Sequence, residues 1–153
     1  MTQTESKKPV AVEIAETAAL MRSFAALLQK ETAALRGGEY EAAKQMQEEK
    51  RDLAERYQRR IQNLSARKEE IGALPEEEKE KIIRMRLEFS KILEENMRVI
   101  DGVRKSSRRL AEKIIDAARA TIREDAGYNA AGRIYSNTDQ RISPVSLSMN
   151  ETL

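Results

Sequence analysis

A chain of 153 residues that is 35% charged and 4% aromatic suits elongated helices with a thin apolar seam, not a thick globular core. It has no His, no Cys and no Trp, which removes the commonest general base and metal ligand, along with disulfide and thiolate chemistry. A net charge of +2 supplies no field to draw nucleic acid or an anionic membrane, and no apolar run approaches the roughly 20 residues that span a bilayer.

In chain order, residues 1–8 are polar and read as a disordered start without the apolar centre of a signal peptide. The expected location is the cytoplasm. Pro9 suits the first turn of a helix that runs over 9–36. In it Ile14, Met21, Phe24, Leu28 and Leu35 alternate spacings of three and four, with Thr17 and Glu31 in the polar slots. That is a heptad-like seam, one narrow stripe buried against another helix. Gly37-Gly38 releases the helix and permits a reversal. A second helix over 39–73 carries Ala43, Met46, Leu53, Tyr57, Ile61, Leu64, Ile71 and Leu74, with Lys50 and Lys68 in slots and a phase slip near Tyr57.

Pro75 breaks the chain, and Glu76-Glu77-Glu78 starts a third helix over 76–125. Its seam is Ile82, Met85, Phe89, Ile92, Asn96, Val99, Val103, Leu110, Ile114 and Ala117, widened by Ile83, Leu93 and Ile100. A helix of about 50 residues is roughly 75 Å long against roughly 42 Å for the first, so it must overhang the hairpin, bend near Gly102 and Ser106-Ser107, or pair with another chain. Residues 126–153 shift to Gly, Asn, Ser and Thr and read as a flexible tail. Tyr128, Ile134 and Tyr135 are spaced anchors there, and Val145, Leu147 and Met149 alternate with serines. The fold class is therefore all-α: an antiparallel hairpin plus a long third helix, a three-helix coiled-coil-like bundle, with a flexible C-terminal tail.

A symmetric reversal at Gly37-Gly38 places Glu31 opposite Lys44, and Lys50 opposite Phe24–Ala25. Both charged side chains then snorkel along the seam edge. The other reading is a buried charge pair that fixes register. Arg104, Lys105, Arg108 and Arg109 form the densest basic cluster, but no aromatics interleave and Asp101 and Glu112 flank it, which makes it a solvated helix face. Three consecutive acids on a helix point apart and hold no metal. Met21, Met46, Met85 and Met97 fall at ordinary seam spacing. With no Ser/His/Asp set, phosphate loop or convergent carboxylates, no catalytic residue, metal or cofactor is expected, and the protein reads as non-enzymatic.

The stretch Ser23–Leu64 resembles the FlgN-type flagellar export chaperones. Their helical hairpin shows Leu-Leu, Glu, Ala-Leu, a glycine-containing turn, then Lys before Leu. Leu27, Leu28, Glu31, Ala34, Leu35, Gly38, Lys50 and Leu53 match it. The tail looks like the Tyr-x-x-x-Gly, Ser-rich tails of the family at Tyr128, Gly132, Ser146, Ser148 and Asn150. Glu39-Tyr40 departs from the family, where an Asp is usual, which touches capping more than function.

The resemblance implies a cytoplasmic type III export chaperone that binds the C-terminal amphipathic helices of hook-associated (hook–filament junction) proteins. It would prevent premature assembly and deliver them to the flagellar export gate protein. Leu110, Ile114, Ala117, Ala118 and Ile122 are then the client-binding candidates, Tyr128 and Tyr135 the export-gate docking candidates, and Leu28, Glu31, Leu35, Lys50 and Leu53 the hairpin seam. No nucleic acid and no stable membrane insertion are expected. The alternative is a structural coiled coil that self-associates as a homodimer without a client.

Overall fold

The computed structural model describes residues 7–131. Among them every regular element is an α-helix: α1 (Val10–Arg36), α2 (Tyr40–Gln45), α3 (Gln47–Ser65), α4 (Lys68–Gly72) and α5 (Glu76–Ala131). The chain divides into two compact units, Met1–Asp101 and Gly102–Leu153.

In the first unit α1 buries two rows: Met21, Leu28 and Leu35, and beside them Leu20, Leu27 and Ala34. The sequence predicts a single narrow stripe here and a wide one on the third helix. The wide face belongs to α1 because α1 is packed from two sides, by α3 and by the first part of α5. On α5, Ile83 is exposed, and Leu93 and Ile100 are only half-buried. Both phenylalanines and one tyrosine fill the centre. Phe24 of α1, Tyr57 of α3 and Phe89 of α5 meet with centroids 5.0 to 6.2 Å apart and planes tilted by 45 to 59°, the inclined geometry that aromatic quadrupoles favour. Leu53, Met85 and Ile92 close around them.

The reversal sits at the two glycines. Gly38 takes φ 74°, its N–H donates to Leu35 O (3.2 Å), and the Glu39 N–H reaches back to Ala34 O (2.8 Å). This pair of bonds satisfies carbonyls at the end of α1 that have no partner in the helix. Glu39 precedes α2 without any side-chain capping bond, so the departure from Asp leaves that helix start uncapped. The expected single helix over 39–73 is three helices. Met46 takes a turn conformation, with its N–H on Ala43 O at 3.2 Å, and Ala66-Arg67 does the same further on. The phase slip of the apolar pattern near Tyr57 does not interrupt the helix, since α3 runs unbroken through it. Pro75 does open α5: its carbonyl accepts from Glu78 (3.0 Å) and Lys79 (3.2 Å).

The described part of the second unit is the α5 segment from Gly102 onward. The helix continues through Gly102 and Ser106-Ser107, and runs past the expected end near Gly127 to Ala131. One glycine in a helix costs only about 1 kcal/mol relative to Ala. No helix among the described residues is long and apolar enough to cross a membrane.

Candidate functional site

Two regions stand out, one in each unit. The first is a polar cluster inside the apolar seam. Glu31 of α1 is 1% exposed and Asn96 of α5 is wholly buried. Lys50 Nζ donates to Glu31 Oε2 (2.6 Å) and to Asn96 Oδ1 (3.0 Å). Asn96 Nδ2 lies 2.7 Å from Glu31 Oε2 and 3.2 Å from Thr32 Oγ1. Gln47 Nε2 donates to Glu31 Oε1 (2.5 Å) and to Ala43 O (2.9 Å). Burial alone would raise the Glu31 pKa. The bonds from Lys50, Gln47 and Asn96 outweigh it and hold the carboxyl below its usual range. Among the described residues no buried side-chain nitrogen or oxygen lacks a partner, so the cluster is fully satisfied, which is the condition under which buried polar groups are tolerated.

This corrects the expected facing. Glu31 pairs with Lys50, not Lys44, and Phe24 meets Tyr57, not Lys50. Neither charged side chain snorkels at the seam edge; Glu31 is enclosed and the Lys50 side chain is 20% exposed. The physical reason is side-chain direction. Helical side chains lean toward their own N-terminus, away from the turn on α1 and toward it on α3. Contacting partners on the second arm therefore lie further along the chain than a symmetric fold-back predicts, and the turn at Met46 adds to the offset. Leu28, Leu35 and Leu53 are buried as expected.

Sequence reasoning placed Asn96 on a seam but gave it no partner, and it passed over Gln47 and Arg67. The available signal was a polar residue within each apolar seam, among them Glu31, Lys50 and Asn96. Arg67 carried no such signal beside Lys68. It is 6% exposed and forks onto Glu70, with its Nη1 on Lys8 O (2.8 Å) and 3.4 Å from Glu13. Arg67 pulls the Glu70 carboxyl down to about 2.

The second region is apolar. Leu110, Ile114 and Ile122 are 60 to 63% exposed, and Ala117 and Ala118 are exposed between them. All five client-side candidates thus lie along one face of α5, and Ile115, which sequence reasoning omitted, adds to it at 43% exposure. The basic residues Arg104, Arg108 and Arg109 are exposed on the same helix. Tyr128 lies in the last turns of α5; Tyr135 and the alternating Val145–Met149 stretch lie outside the described residues. No set of three or more His, Cys, Asp or Glu able to hold a metal occurs among the described residues. The chain matches no protein-family model, no curated protein and no solved structure.

Proposed function

We propose that this chain is a FlgN-type export chaperone, a three-helix coiled-coil-like bundle with a C-terminal tail that captures the amphipathic C-terminal helices of hook–filament junction proteins and delivers them to the export gate. The observation that carries this reading is the apolar face of α5 from Leu110 to Ile122, which no other described residue covers. A face of that spacing accepts an amphipathic helix lying along it, apolar row against apolar row. The hairpin residues that resemble the family supply the identity of the partner. Delivery requires release, which a short exposed stripe permits better than a deep groove.

The test is light scattering after gel filtration of the protein mixed with a hook–filament junction protein. A one-to-one complex is expected. Leu110→Asp with Ile114→Asp abolishes it while the unfolding free energy stays within about 0.5 kcal/mol of the parent, because exposed positions carry little folding energy. A chain that ignores the client, or a double variant that still binds it, overturns the reading.

A further inference from the structure

We infer that the groove between α1 and α3 binds an extended acidic segment of a partner protein. The groove is an open trough of about 560 Å³ within the first unit. Leu20 and Leu53 form its floor and are themselves nearly covered, so a partner gains little by burying apolar surface there. Ala19 and Ser23 of α1 are small and exposed, which leaves one wall low. The other wall is α3, which presents Arg56, Arg59 and Arg60. Such a lining suits a ligand recognised by charge and hydrogen bonds, not the apolar face of an amphipathic helix.

Charge selects the occupant. From Arg56 to Lys68 the chain carries Arg56, Arg59, Arg60, Arg67 and Lys68 and no acid. Arg56 meets Asp52 at 3.5 Å and Arg59 meets Glu55 at 4.0 Å, with all four side chains more than half exposed. Exposed pairs of this kind are worth little, so both guanidiniums exchange readily onto a carboxylate lying in the groove. Glu16, the acid among the lining residues, is already shared: Lys8 Nζ holds one of its oxygens at 2.9 Å and Arg60 Nη1 the other at 2.6 Å. The groove therefore keeps a positive surplus. Arg56, Arg59 or Arg60, and Asn63 follow one another by about a helical turn, roughly 5 Å. Alternate side chains of an extended strand lie roughly 6.6 Å apart, so acids along one edge of such a strand reach successive donors of α3. The site is separate in sequence from Leu110–Ile122 and needs no client, so it goes beyond the proposed chaperone role.

Fluorescence anisotropy of the full-length protein with a labelled peptide of alternating glutamate and serine tests this. Saturable binding that weakens with salt is expected, and none of the same peptide carrying glutamine for glutamate. Arg56→Glu with Arg59→Glu weakens it about tenfold or more, since each reversal replaces a modest attraction by a repulsion. Ser23→Glu, on the opposite helix, supplies a carboxylate of the chain's own and weakens it about threefold. Arg51→Glu, exposed on α3 outside the groove, leaves it within about twofold. All four positions are exposed, and urea unfolding checks that the variants stay folded. A glutamate peptide that does not bind, a glutamine peptide that binds equally well, or an Arg51→Glu as damaging as the groove reversals overturns the inference. Tighter binding of inorganic triphosphate or of single-stranded RNA than of the peptide makes the occupant a phosphate and also overturns it. None of these outcomes involves the junction protein, so the proposed function stands or falls on its own experiment.

Discussion

Glu31 is an ionised group inside an apolar seam, and its environment makes its removal and its titration separately readable. Lys50→Met takes away the only cation bonded to it among the described residues, leaving a buried carboxylate with amide donors alone. Breaking one side of such a pair costs about 3 kcal/mol, measurable in urea unfolding. Glu31→Gln keeps the size and one acceptor oxygen and costs less. The sign of the pH effect follows from the lowered pKa. A carboxyl whose folded pKa lies below its unfolded value near 4.5 adds stability above that value and loses it as pH falls through the folded pKa. The parent should therefore lose more stability than Glu31→Gln on acidification below about pH 4.5, and equal slopes for the two proteins would contradict the assignment. The positions of Glu31, Lys50 and Asn96 on seams were legible in the sequence, because a polar residue in an apolar repeat stands out. Their mutual contact was not, because it depends on the stagger between helices, which no single helix's periodicity contains.

The elements themselves were legible where backbone chemistry is local. Gly37-Gly38 and Pro75 marked real boundaries, and α1 starts and stops within a residue of the expected range. The breaks at Met46 and Ala66-Arg67 lack any Gly or Pro, so nothing in the local sequence announces them. Gly38 gives an element-scale prediction. Its φ of 74° lies in the left-handed region, while a Cβ there would meet nothing within 4 Å. The cost of Gly38→Ala is then conformational alone, about 1–2 kcal/mol. Gly37 has φ −78°, and a Cβ there would come 3.4 Å from Ala33 O. Gly37→Ala should accordingly be near neutral in the same urea titration. Equal costs at the two positions would mean that the reversal does not rest on the left-handed residue.

At the scale of the whole molecule, the buried residues among those described lie within the first unit. The three rings, the Glu31–Lys50–Asn96 cluster and the Arg67 ion pairs all fall between residues 7 and 101. The described part of the second unit is one helix with its large apolar side chains exposed. Helical stability in proteins comes mainly from tertiary packing, and the large apolar side chains of this segment are exposed. A chain stopped after Asp101 should therefore unfold cooperatively, with a midpoint within a few degrees of the parent, and keep the near-ultraviolet signal of Tyr57 packed on Phe24 and Phe89. A peptide of residues 102–131 should be less helical alone than within the full chain, measured by far-ultraviolet circular dichroism. The truncated chain should in turn be blind to the junction-protein helix, because the face from Leu110 to Ile122 is gone. A truncated chain that loses its aromatic signal would show that the segment beyond Gly102 helps to hold the core. Its exposed leucine and isoleucines would then need an account other than binding.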